Sequence, residues 1–480
     1  MEGLKNVACE LPINVKSTLD EWEEMYISIK ATAIAREWDN TLIALSLAIK
    51  FHDGQKRKGG DPYIIHPLKV CKPLINQKVA TDIIAAAALL HDVVEDCDIA
   101  DPYKLFVEKY GLDKEIVEIV NILTKPKDYK ITDPEEKQYY ERIKKNKKAL
   151  IIKISDRANN LSTIDAFTKE KMIKYVNETK RSVYGLCQYG KSYYPEYSNA
   201  ITIMKYQIQS ICETIEALYN IESPPNPLRH RKTFIFIRDY SIGKGMENTQ
   251  KSIFIANNLH RDDTRTNGEP FILHPLRVCS YLISLKINDD IACSAALLHE
   301  VLKRCNLPKH GQELTEDYDL DPRILELIKL LTKTEGMSNE EYYSNLKKNK
   351  YAIMIKLSNR AHTCTRLSTY TEEERQAYIL ETKTHLSDLC NYAQETYPEF
   401  WDQIEIMRYH IFSICKLVEK ICERKDWVKL SYSTLFNFYK LKYWLKAVHF
   451  WTAFSILYCI FYFIFIETTF DIPYSCIVTP

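Results

Sequence analysis

The sequence has no excess of charge of either sign. Its 65 Lys and Arg stand against 64 Asp and Glu, a net charge of +1. That balance leaves no global basic field to hold nucleic acid. No Walker-type GxxxxGK[ST] is present, and Ser241-Ile242-Gly243-Lys244-Gly245 is too short to be one. None of the 14 cysteines falls in a CxxC pair. Most lie in apolar helical text, where a thiol packs as a small hydrophobe. No secretory leader is read at the N-terminus, so the cysteines are expected to be reduced, in a cytosolic domain. No Asn-Gly or Asp-Gly hairpin joins runs of alternating polarity, which argues against a β architecture.

Apolar residues (46%) and charged residues (27%) make up an ordinary globular profile. With 480 residues there is room for two or three domains, each able to bury a core. The dominant feature is a long internal repeat. Ala85–Asp96 reads AAAALLHDVVED, and 208 positions later Cys293–Arg304 reads CSAALLHEVLKR. Tyr63-Ile64-Ile65-His66-Pro67 returns as Phe271-Ile272-Leu273-His274-Pro275 at the same offset, and Leu123-Thr124-Lys125 as Leu331-Thr332-Lys333. Beyond that the offset falls to 203, and Ile152-Lys153-Ile154-Ser155-Asp156-Arg157 returns as Ile355-Lys356-Leu357-Ser358-Asn359-Arg360. A unit of this length is a duplicated domain, not a solenoid repeat. The prolines of Ser223-Pro224-Pro225-Asn226-Pro227 mark the seam, which predicts domains over 20–222 and 228–424. The periodicity within each is helical, giving an all-α fold.

The C-terminal text is different. Ala447 to Ile466 carries no formal charge, and lysines stand only on its N-terminal side. That length at helical rise predicts a transmembrane helix over 440–467. The positive-inside bias predicts a single-pass protein with its catalytic domains in the cytoplasm.

In the first copy His91, Asp92, Glu95 and Asp96 are expected on neighbouring stripes of one otherwise apolar helix. Buried together, such groups need compensation from a metal, a hydrogen-bond network or a solvated cleft. Imidazole with carboxylates suits a first-row divalent ion such as Mn²⁺ or Zn²⁺. Further ligands must come from elsewhere, and His66 and Asp156 are the candidates.

Three blocks carry a family resemblance. They are His52-x-Gly54-Gln55-x-Arg57-Lys58-x-Gly60-x-Pro62-Tyr63-Ile64-x-His66-Pro67, then His91-Asp92-Val93-Val94-Glu95-Asp96, then Asp156-Arg157-x-x-Asn160. In order and spacing they resemble the HD-type hydrolase domain of the RelA/SpoT family, including its free-standing metazoan SpoT homologs. The resemblance covers most of the first copy, covers the second at lower fidelity, and leaves out the C-terminal run. It implies two tandem HD-type helical domains and Mn²⁺ ligation by His66, His91, Asp92 and Asp156. It also implies a water positioned and activated by Glu95 and Asp96, and nucleotide contacts from Arg57, Lys58, Asn160 and Tyr175. The implied reaction removes the 3′-pyrophosphate of guanosine tetra- or pentaphosphate. Implied partners are that nucleotide and, through the tail, a membrane, but no nucleic acid; homo-oligomerisation stays open. Another nucleotide phosphohydrolase, for instance one acting on NADPH, and a nucleotide-binding pseudoenzyme remain alternatives.

In the second copy Asp92 becomes Glu300, Asp156 becomes Asn359, Glu95 becomes Lys303 and Asp96 becomes Arg304. Lys58 becomes Thr266, Asn160 becomes Thr363, and Arg57 survives as Arg265. Cations in place of the water-activating pair predict a catalytically dead copy, kept for anion binding or for packing.

Overall fold

The computed structural model describes residues 21–97, 99–125, 133–221, 229–265, 268–305 and 307–445. Helices dominate it throughout, and sheet structure among the described residues is limited to two isolated bridges, Lys56 with Pro62 and Thr264 with Pro270. The all-α expectation holds. The proline seam lies outside the described residues.

The two halves repeat element for element. Helices Asp39–Phe51, Ile65–Asn76, Asp82–Leu90, Lys114–Leu123 and Lys147–Ser162 have counterparts in Glu247–Leu259, Leu273–Ser284, Asp290–Leu298, Pro322–Leu331 and Lys350–Thr363. Residues 1–418 form one compact unit that contains both sets; the remainder forms a second.

At the centre of the first set is Asp82–Leu90, in which every residue from Ile84 to Leu90 is fully buried. A helix apolar on all sides can only be a core helix. Its run of alanines lets Asp39–Phe51 and Ile65–Asn76 approach closely. Extra methylenes at Ala86 or Ala87 would overpack this contact and cost ~1–3 kcal/mol. Thr81 caps the helix by accepting from the Ile84 amide. Asp82 is turned outward to hold the next helix start. Its carboxylate accepts from the Asn40 and Thr41 amides and from the Thr41 hydroxyl. Asp290 repeats this with Asn248 and Thr249.

The transmembrane helix expected at 440–467 requires correction, and with it the single-pass membrane localisation and the membrane as a partner. No helix among the described residues is long and apolar enough to cross a membrane. The last described helix, Trp401–Leu445, runs into the predicted span carrying Glu419, Lys420, Glu423, Arg424, Lys425, Asp426 and Lys429 in its sequence. Those charges precede the predicted span, whose described part, 440–445, carries Lys440 and Lys442, and a charge in the hydrocarbon core is costly. Residues 446–467 lie outside the described residues.

Candidate metal centre

The helix Asp82–Leu90 does not continue through the chemistry-bearing residues as its periodicity predicts. It ends at Leu90, and a separate turn, Val93–Asp96, follows. Adjacent side chains on a regular helix diverge by about 100°. The break lets His91 and Asp92 face one point instead, with His91 Nε2 3.1 Å from Asp92 Oδ1. His66 enters from the first turn of Ile65–Asn76, its Nε2 3.0 Å from Asp92 Oδ2 and 3.2 Å from His91 Nε2. Asp156 sits in the middle of Lys147–Ser162, not at a helix start. Its Oδ1 reaches His66 Nε2 at 3.4 Å and His91 Nε2 at 3.7 Å. The four residues predicted as ligands thus converge.

Their outer partners fix them. His66 Nδ1 is bonded to Asn159 Oδ1 at 2.7 Å and His91 Nδ1 to the Ala88 carbonyl at 2.8 Å, which turns both Nε2 atoms inward. Lys153, one turn before Asp156, bonds its Oδ2 at 2.8 Å. Asn160, one turn after, donates to its Oδ1. Burial would favour a neutral Asp156, but Lys153, His66 and His91 hold its carboxyl well below the usual range. The same contest, won by His91 and His66, keeps Asp92 ionised. Burial lowers the His66 imidazole pKa, yet Asp156 and Asp92 outweigh it and lift the group to about 9. Two inward imidazole nitrogens facing two ionised carboxylates, each tied from behind, form a donor set suited to a divalent cation.

Glu95 and Asp96 flank this cluster at the solvent side. Asp96 accepts the hydroxyl of Tyr63, which also donates to Asp92 Oδ2 at 2.9 Å. Glu95 accepts the Lys125 amide at 3.3 Å. Partial desolvation against the cleft wall raises its carboxyl pKa, and the Lys125 charge opposes the rise.

The predicted nucleotide contacts divide into two groups. Arg57 is presented by the tight loop between Asp39–Phe51 and Ile65–Asn76, in which Gly60 takes a left-handed φ of 91° that favours glycine. Arg57 donates to Asn160 Oδ1 at 2.7 Å, so arginine, amide and Asp156 form a chain leading to the cluster. Lys58 lies farther out, over the Phe167 ring, with Lys171 on the same ring, a second cation that the spacing of motifs gave no reason to single out. Tyr175 instead lies against Arg157, its ring centroid 4.1 Å from the guanidinium. That arginine is buried in a bond of 2.6 Å to Glu178 and in bonds to the Tyr140 and Thr179 hydroxyls. His52 stacks on Tyr63 outside the cluster.

In the second half His274, His299 and Glu300 also converge, with the two Nε2 atoms 3.2 Å apart. The surroundings differ in charge. Burial, His299 and the guanidinium groups of Arg265, Arg366 and Arg277 press the His274 imidazole well below its ordinary pKa. Arg304 turns onto the Phe271 ring at 3.8 Å, where the first half has the Tyr63–Asp96 hydrogen bond. Both members of that contact changed together. Lys356 stands at the position of Lys153, but Asn359 stands at that of Asp156, the residue Lys153 bonds.

The family profile described as HD domain matches residues 44–185 and again 253–389. The guanosine-3′,5′-bis(diphosphate) 3′-pyrophosphohydrolase of Aquifex aeolicus is 34% identical over 139 residues, 28% of this chain and 19% of that protein. The protein of the same name from Borreliella burgdorferi is 31% identical over 199 residues, 34% of this chain and 29% of its own length. The bifunctional (p)ppGpp synthase/hydrolase SpoT of Escherichia coli K12 is 32% identical over 135 residues, 27% of this chain and 18% of that protein. The chain therefore spans less than a third of the length of these curated relatives. A solved structure titled "A metazoan ortholog of SpoT hydrolyzes ppGpp and plays a role in starvation responses" is 25% identical and covers 31% of this chain and 85% of its own, at a TM-score of 0.28. With the two matched stretches taking in more than half of its length, and with RelA/SpoT-type hydrolases among its relatives, the chain belongs to the HD domain family.

Proposed function

We propose that the first half hydrolyses guanosine 3′,5′-bis(diphosphate) and the pentaphosphate at the 3′ position, with a divalent ion, Mn²⁺, held by His66, His91, Asp92 and Asp156. The observation that carries this reading is the convergence of those four side chains beside Glu95 and Asp96. When bound, the ion supplies Lewis acidity toward water and phosphate oxygens. Water attacks the phosphorus attached to the 3′ oxygen. The bond from that phosphorus to the 3′ oxygen breaks, pyrophosphate departs, and a proton returns to the 3′ oxygen to give GDP or GTP. Glu95, with its raised carboxyl pKa at the edge of the cluster, takes the proton of the attacking water. Asp96, held by Tyr63, orients that water. Arg57 and Lys58 offset phosphate charge, and Asn160 sets the Arg57 guanidinium at the cleft. Tyr175 acts on the site through Arg157, as a positioning residue.

The second half is proposed to be catalytically inert, because Lys303 stands at the position of Glu95 and Arg304 is engaged with Phe271.

The test is turnover by the full chain with Mn²⁺, offered the tetraphosphate, the pentaphosphate and NADPH in parallel, with bound metal measured by elemental analysis. Asp92→Ala should lose both metal and turnover, and Glu300→Ala should retain turnover. Metal-loaded protein that turns over none of the guanosine nucleotides would overturn the reading, and turnover of NADPH alone would replace it.

A further inference from the structure

A second concavity of the compact unit lies apart from the candidate metal centre. It is a cleft of ≈ 1000 Å³ between the two halves, lined by seven lysines and arginines against three glutamates. Two of those glutamates have cations facing them. Glu216 bonds Lys180 at 2.6 Å, and Glu213 lies 3.7 Å from Arg277. The third, Glu269, is on the loop that carries Arg265 and partly offsets its charge. The cations remain in excess by four (seven less three).

The offsets between the halves show how this charge arose. Arg277 stands where the first half has Lys69, Arg366 where it has Thr163, and Ser368 where it has the buried carboxylate of Asp165. Arg265 corresponds to Arg57, whose guanidinium is bonded to Asn160. Thr363 stands at the position of Asn160 and turns its hydroxyl back to Asn359, so the amide that holds Arg57 has no counterpart for Arg265. Arg265 is 92% buried (8% exposed), and its Nε has no hydrogen-bond partner among the described residues. The Ser368 hydroxyl, lining the same cleft, is likewise buried without one. Burial together with the charges of Arg366 and Arg277 lowers the Arg265 guanidinium to about 10, so it remains a cation at neutral pH. A buried guanidinium beside like charges is costly unless an anion neutralises it. Across the cleft the first half contributes Lys191 and Lys205; burial, together with the Lys205 charge, lowers the Lys191 amine.

We propose that this cleft binds a phosphorylated small molecule, with a phosphate seated against Arg265, Arg366 and the Ser368 hydroxyl and the rest of the ligand directed toward Lys191 and Lys205. Planar guanidinium groups with a hydroxyl donor are matched to phosphate oxygens. The volume accommodates a body of nucleotide size. The site is distinct from the metal centre and draws on both halves, so its occupancy depends on how they are held against each other.

The test uses the full chain in EDTA, with inorganic pyrophosphate as the probe, titrated by calorimetry and followed by thermal shift. Ser368→Asp restores the first-half residue and places a built-in carboxylate among the arginines; Arg366→Thr removes a cation by the same logic. Wild type should bind pyrophosphate and melt at a higher temperature with it. Each variant should bind at least tenfold more weakly, and Ser368→Asp should melt higher than wild type in the absence of pyrophosphate. Should Ser368→Asp fail to fold, Arg366→Thr alone decides. Undiminished binding by the folded variants would place the probe elsewhere and overturn the proposal, as would absence of binding by wild type.

Discussion

Lys356 exposes the consequence of losing one carboxylate. In the first half the equivalent amine, Lys153, is bonded to Asp156 at 2.8 Å, which keeps it protonated despite burial. Asn359 offers no charge, and Lys356 lies instead over the Tyr342 and Tyr343 rings, at 4.7 and 5.5 Å. Burial, with Arg360 nearby, lowers its pKa from 10.5 to about 7, although Glu381 and Glu300 pull the other way. The unfolded amine titrates near ~10.5. Between about 7 and ~10.5 the unfolded chain therefore binds the extra proton, and stability rises with pH across that window. Below it both states are protonated and the full penalty applies. At ~1.36 kcal/mol per pKa unit the depression sets a ceiling of ~5 kcal/mol. The amine also opens onto the neighbouring cleft of ≈ 290 Å³, where water relieves part of the cost. Lys356→Met should therefore stabilise the fold by ~1–3 kcal/mol at pH 7. The gain should shrink toward pH 10, because releasing the proton on folding costs wild type less as the pH nears the unfolded pKa. Denaturant midpoints of the two proteins from pH 6 to pH 10 measure this directly. A difference that does not vary with pH, or a destabilised Met variant at pH 7, would refute the reasoning.

Other substitutions probe the remaining links. Glu178→Gln strands the buried Arg157 and should destabilise by ~3–5 kcal/mol in chemical denaturation. Because Arg157 outweighs burial and depresses the Glu178 pKa, that stabilisation is present above the ordinary glutamate range and should disappear as pH falls through the lowered value; an acid-denaturation curve unaltered in Glu178→Gln would contradict it. Tyr63→Phe removes the hydroxyl shared by Asp92 and Asp96, and should lower kcat about tenfold or more while metal content stays full. Tyr409→Phe deletes the bonds to Asn159 and Ser162 and should weaken metal binding several-fold, read as a shifted dissociation constant for Mn²⁺, with little change in melting temperature.

Much of the metal centre was legible in the chain. His66, His91, Asp92 and Asp156 were identifiable because their motif blocks recur in a fixed order, and they converge as expected. The break after Leu90 was not legible, since His91 and Asp92 fit the helical period and only the inward geometry shows that the helix has ended. Tyr63 was read as part of a motif and not as the hydroxyl that steadies Asp96, because that contact spans 33 residues of sequence. The setting of Tyr175 was hidden for a similar reason. Its partner is the buried Arg157, and neither the burial nor the approach of Glu178 can be read from spacing. The predicted membrane span rested on a local run of apolar residues, whereas the helix leading into it carries charges at close intervals.

Tyr409, in the last helix of the second half, reaches across the compact unit to the back of the first site. Its hydroxyl accepts from Asn159 Nδ2 at 3.1 Å and lies 2.7 Å from Ser162 Oγ, and Asn159 is the residue that holds His66 Nδ1. Two hydrogen bonds thus separate the His66 imidazole from a side chain 250 positions downstream of Asn159. Cutting the chain at the proline seam would part Tyr409 from Asn159 and Ser162. It would remove a brace from the histidine and bare the surface on which the second half rests, so the smallest unit to express for crystallography or kinetics runs past Tyr409. Inheritance follows the same boundary: the second half stays under selection for as long as its tyrosine steadies the residue that holds its neighbour's histidine.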